Sequence, residues 1–209
     1  GDALVAAGVL TLTDGAFATG SVTAQGNIVV GAGWDAAGSG AVNATGTAIQ
    51  TLDVSAGVGL LDNPLTINKA GGSFTLASAY TLDAATADLT LTLGTFSTGN
   101  FTLTTASGSD IAVNGGTMNT GTSTMTIAGG LTVAGGTYNG NDATPTFSGA
   151  VLLSSGAYNG STKGDTFSGG LTISGGTFTA SDATTTVSGA WTHTGGGTFT
   201  HNSGTVAFT

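Results

Sequence analysis

The chain contains no cysteine, no glutamate and no arginine, and its only basic side chains are Lys69 and Lys163. Without cysteine, no disulfide can staple the fold, and cysteine usage leaves the redox compartment open. Glu, Lys and Arg are strong helix formers, so their scarcity predicts a protein nearly free of helix. Eleven aspartates against two lysines give a net charge of −9. That balance lacks the basic footprint that nucleic acid demands and disfavours anionic membrane surfaces. No apolar run is long enough to cross a bilayer, which excludes membrane insertion by a helix. Gly1 is not preceded by a methionine or a signal-peptide pattern. The chain stops at GTVAFT, inside a strand-like stretch, so it reads as a mature product or as a piece of something longer.

What is present is glycine, 38 residues of it, with abundant Thr, Ser and Ala and 39% hydrophobic residues in a chain of 209. That length suits one or two domains, and the hydrophobic share can build a core. The bias comes from a repeat. Gly129–Ser148 (GGLTVAGGTYNGNDATPTFS), Gly149–Ser168 (GAVLLSSGAYNGSTKGDTFS) and Gly169–Ser188 (GGLTISGGTFTASDATTTVS) align at a period of 20. Gly189–Thr209 follows with one extra glycine, and Ser109–Ala128 fits in front. Upstream the period loosens: Phe74, Phe96 and Met118 stand 22 apart.

Each unit holds three short strand-like stretches. The first carries apolar pairs two apart, such as Leu131/Val133 and Leu171/Ile173; the second centres on Tyr138, Tyr158, Phe178 and Phe199; the third ends at Phe147, Phe167, Val187 and Phe208. Thr or Ser at the intervening positions gives the period-2 pattern of a half-buried strand. Three strands per 20–22 residues predict an all-β, parallel β-solenoid whose named apolar columns fill the bore. Parallel crossovers favour a right-handed coil. Ten coils stacked at ~4.8 Å would form a rod of about 45–50 Å. The alternative is an antiparallel β-sandwich, which would call for tight hairpin turns between longer strands. The regular solenoid is expected over 65–209, and 1–64 as an irregular front of loose coils, a cap or a contact region. Open strand edges at a solenoid's ends pair with other chains unless they are covered.

The stretches GAWTHTGGGTFTHNSGTVAF and NPLTINKAGGSFTLASAYTL resemble Gly/Thr-rich repeats of large bacterial secreted or cell-surface β-solenoids, in the style of filamentous adhesins and autotransporter passengers. The resemblance covers about Pro64 to Thr209. It implies an extracellular or cell-surface location and carries no catalytic residues to transfer.

Candidate chemistry is sparse. Asp142 and Asp182 fall in equivalent corners two coils apart, about 10 Å by coil stacking, with Asp165 and Lys163 in the coil between. A polysaccharide-degrading β-helix would need two such carboxyls. The simpler reading is turn residues that bond their own backbone. Calcium is the one cofactor these acids could hold, with Asp142, Asp165 and Asp182 as candidate ligands and Asp14, Asp35, Asp53 and Asp62 as equal candidates in the front. His193 takes an inward position beside Trp191 and reads as a packed core residue, while His201 lies in a loop. The aromatic column could serve as a glycan-stacking platform but reads first as a core ladder. Asn119, Asn139 and Asn159 form an expected amide ladder. Finally, Thr124-x-Thr126, Thr144-x-Thr146 and Thr184-x-Thr186 resemble the ice-binding ladders of antifreeze solenoids. Pro145 and Asp165 at the middle position predict a bend that would spoil its flatness, and Gly164 interrupts it.

Together these features point to a non-enzymatic, extracellular structural protein that builds a fibre, sheath, coat or adhesin stalk. Its expected partner is itself, either as further copies or as adjoining repeats of a longer chain. A surface adhesin that binds glycan, a polysaccharide-degrading enzyme and an ice-binding solenoid are the alternatives.

Overall fold

A computed structural model of the chain describes residues 4–35, 38–57 and 61–209. Its 23 described strands form two sheets, one of 16 strands and one of 7. Every described strand pair is parallel and links a coil to the next, as in Ile111↔Leu131, Leu131↔Val151 and Val151↔Leu171. The chain is therefore a parallel β-solenoid, and the antiparallel sandwich is excluded.

Each regular coil turns through three faces. The first holds Leu131 to Val133 and its equivalents, and the second holds Thr137 to Asn139; the two share one long strand, Leu131–Asn139, bent at Ala134. The third face is a separate sheet that starts at Tyr80–Leu82 and runs to Thr205–Phe208. The front of the chain already carries the ladder, with Leu4↔Val22, Val22↔Val42 and Val42↔Leu65 in register. Over those first coils the described strands supply the first two faces only.

The first bend shows why glycine recurs. Gly94, Gly116, Gly156 and Gly176 have φ of +89°, +66°, +78° and +70°, a region that costs other L-residues energy. A Cβ on Gly116 would also strike the carbonyl oxygen of Gly94 in the coil below. The corner can stack only if it carries no side chain.

The bore is filled by like residues stacked on like. Tyr138 and Tyr158 stack with centroids 4.6 Å apart and planes 12° apart; Tyr158 and Phe178 repeat this at 4.6 Å and 6°. Phe178 and Phe199 continue the column at 5.8 Å, and Phe147 and Phe167 stack in a second column at 5.1 Å. Leu131, Val133, Leu171, Ile173 and Val187 are buried. Phe199 is half-buried and Phe208 is 62% exposed; both belong to the last coil described.

A polar string runs through the bore near the front. The buried Lys69 donates from Nζ to Gln50 Oε1 at 2.5 Å, and Gln50 Nε2 donates to the carbonyls of Ala24 (3.0 Å) and Gly26 (2.6 Å). Burial lowers the pKa of Lys69.

Candidate functional site

The third face presents two outward columns and two inward ones. Phe147 and Phe167 point inward, so by strand alternation the residue two before each also points inward. Met125↔Pro145 and Asp165↔Thr185 accordingly sit in one buried column. This corrects two expectations. Pro145 lies within the strand Thr144–Phe147 and makes no bend; its missing N–H removes one rung, and pairing to the next coil starts at Thr146↔Thr166. Asp165 is not a corner residue beside Asp142 and Asp182 but a buried carboxylate in the bore.

Asp165 has a local structural job. Tyr158 Oη donates to its Oδ2 at 3.2 Å, and the Ser161 N–H donates to Oδ1 and Oδ2 at 3.2 and 3.3 Å. One coil on, the same corner N–H, that of Ser181, donates to Thr185 Oγ1 at 3.0 Å. The inward polar residue thus satisfies a corner amide that the ladder leaves free. Burial raises the pKa of Asp165, against the hydrogen bonds from Ser161 and Tyr158 that lower it.

Asp142 and Asp182 are exposed, with Thr162 at the equivalent position in the coil between them. The Thr162 hydroxyl donates to Asp142 Oδ1. Gly121, Thr122, Asn141, Asp142 and Thr162 line a shallow open groove there. The three calcium candidates therefore do not converge. Among the described residues, no three His, Cys, Asp or Glu side chains come together as a metal site.

In the front, Asp14 accepts from its neighbour's N–H at Gly15, and Asp53 accepts from both the N–H and the hydroxyl of Ser55. The Ser55 hydroxyl, then its N–H, holds Asp53 below the usual carboxylate range. Asp62 differs. It is buried with φ +51° and accepts from the Asp83 N–H at 3.2 Å. Burial, and then the neighbouring Asp83 side chain, push its pKa up to about 6. Sequence reasoning left Asp62 among several front acids and did not pair it with Asp83. The loosened spacing there hides which residues stack.

His193 pairs with Ile173 in register, as the repeat predicts, yet in this last described coil it is exposed and not the packed core residue expected. Its Nε2 lies 2.9 Å from the Gly197 carbonyl. The amide ladder is present: Asn139 Nδ2 donates to Asn119 Oδ1 and Asn159 Nδ2 to Asn139 Oδ1, each at 2.8 Å. The aromatic column is buried from Phe74 to Phe178, which removes those rings from any glycan.

No protein-family model, no curated protein and no solved structure matches this chain.

Proposed function

We propose that this chain is a non-enzymatic, extracellular structural rod that lengthens by coil-on-coil stacking, as the core of a fibre, sheath, coat or adhesin stalk. One observation carries the reading: the columns of Leu171, Phe178 and Val187 run on into the outermost coil as Trp191, Phe199 and Phe208. At one end Trp191, Phe199, Val206 and Phe208 line an uncovered coil; at the other, Leu4, Leu10, Leu12, Phe17 and Trp34 surround an open apolar hollow. Apolar surface of this kind favours an occupant, and a free strand edge supplies the matching hydrogen bonds. A further coil meets both needs, whether it comes from more of the same chain or from another copy. Each added coil contributes its own interface, so length requires no new core.

Sedimentation across a concentration series and negative-stain imaging test this. Elongated assemblies that shorten or vanish in Phe208→Asp support the reading. A concentration-independent monomer that cleaves a polysaccharide overturns it.

A further inference from the structure

The outward columns of the third face form an ordered two-dimensional array of threonine. Along the seven-stranded sheet, one column runs from Ala79 to Thr205 and the other from Thr81 to Ala207. Every position in the two columns is threonine except Ala79, Gly164 and Ala207. The columns contain no charged, aromatic or amide side chain. The second face, by contrast, mixes Thr with Ser, Ala and the Asn ladder.

Three features make this array regular. Its strand pairings run without a register shift, whereas the larger sheet has shifts at Ala134, Asn68 and Leu12. Pro145 and Asp165 point into the bore, so the outward rows pass them without a bend. Threonine is stiff at χ1, and none of the array's hydroxyls bonds another protein atom among the described residues, so each stands free to hold water.

We propose that this face binds ice. The array repeats at about 4.8 Å from coil to coil and about 6.7 Å from Thr144 to Thr146 along a strand. These spacings are comparable to those of oxygen rows on crystal faces of hexagonal ice. A rigid lattice of hydroxyls and methyls holds first-layer water in that pattern with little ordering cost at contact, the advantage of preorganisation. The absence of charge matters as much, because a charged side chain would orient water around itself. The proposal stands independently of coil stacking, since the face lies along the rod and not at its ends.

The test is partition of fluorescently labelled protein into a slowly growing ice hemisphere, alongside an ice-recrystallisation assay. The wild type and Thr137→Tyr, altered on the second face, are expected to enter the ice and restrain recrystallisation. Thr146→Tyr, a bump in the middle of the array, is expected to lose both activities. Tyrosine suits strands, and far-UV circular dichroism checks each fold; Thr166→Lys replaces Thr146→Tyr if the latter misfolds. Exclusion of the wild type from ice overturns the proposal, as does equal behaviour of the two face variants. Binding to crystalline cellulose, or self-association, that Thr146→Tyr abolishes while ice excludes the wild type would reassign the face and also overturn it.

Discussion

Phe178 and Phe199 occupy the same column one coil apart, so replacing each with alanine isolates what a covering coil is worth. Phe178 is fully buried, with Tyr158 stacked at 4.6 Å on one side, Phe199 at 5.8 Å on the other and Phe167 at 5.8 Å across the bore. Truncation there removes a ring and leaves a closed void, which costs about 3–5 kcal/mol. Phe199 has Phe178 beneath it and Trp191 at 5.2 Å beside it, but its other side is open. Water can fill the space it leaves, so Phe199→Ala forfeits only part of the burial of one ring, about 1–1.5 kcal/mol. Denaturant titrations at the lowest workable concentration, followed by far-UV circular dichroism, should separate the two variants by about 1.5 kcal/mol or more. Thr186→Ser, outward on the third face, serves as a control and should stay within about 0.5 kcal/mol of wild type. Equal losses for the two phenylalanines under dilute conditions would refute the reasoning. If copies stack on that end, the cost of Phe199→Ala should climb toward that of Phe178→Ala as protein concentration rises.

Two further predictions concern the buried charges. Asp62 has a folded pKa of about 6 against an ordinary value of 3.8, so the folded state holds its proton more tightly. Stability from this group is full below about pH 4 and is lost as pH rises through about 6. A gap of two units is worth about 3 kcal/mol, and solvent screening near the surface reduces this to about 1–2 kcal/mol. Asp62→Asn keeps an acceptor for the Asp83 N–H and suits φ +51°. Urea midpoints at pH 4.5 and 7 should therefore differ less in the variant, although Asp165, also raised, leaves a residual slope; an unchanged slope would contradict the assignment. Gln50→Leu should remove the nearer acceptor of Lys69, leaving only the Thr45 carbonyl at 3.4 Å, and the donor held by Ala24 and Gly26. The loss is about 2–3 kcal/mol at pH 7. It should shrink as pH rises, because burial already lowers the Lys69 pKa and a neutral amine tolerates the apolar site; a loss that is flat to pH 10 would argue against it.

The regular coils were legible because their signal is redundant. Five units repeat the same apolar spacing, and Leu131, Tyr138 and Phe147 each sit where alternation places them. The inward column through Pro145 and Asp165 was not legible from those two residues, since proline and aspartate violate the apolar pattern of a bore. The information lay elsewhere in the column: of its other members, Tyr80, Leu103, Met125 and Val206 are apolar or aromatic, and only Thr185 is polar. His193 shows a different limit. Register fixed its direction, but burial depends on the coil above, which a residue's own sequence does not encode. The Lys69–Gln50 contact joins residues 19 apart across a coil of irregular length, where counting residues cannot find partners. The Asp62–Asp83 pair fails for the same reason.

Like-on-like stacking also explains why the chain has so few charges. In a parallel in-register stack, every outward residue stands about 4.8 Å from its equivalent. Two like charges at that separation repel by about 0.9 kcal/mol in water and about 3.5 kcal/mol at an effective dielectric constant of 20. An amide, a hydroxyl or a ring placed on its own copy gains instead, as Asn139 does between Asn119 and Asn159 and Tyr158 does between Tyr138 and Phe178. Charge must then be isolated or employed. Asp142 and Asp182 are separated by the coil of Thr162, which donates to Asp142. Asp88 and Asp110 do fall in adjacent coils, and there each carboxylate accepts the backbone N–H of the coil above: Asp110 N to Asp88 at 2.8 Å, and Gly130 N to Asp110 at 2.6 Å. Past that point the column turns to Gly130, Ala150 and Gly170, and the acids stop. A repeat free to carry charge on every coil would need a geometry that does not place each residue on its own copy.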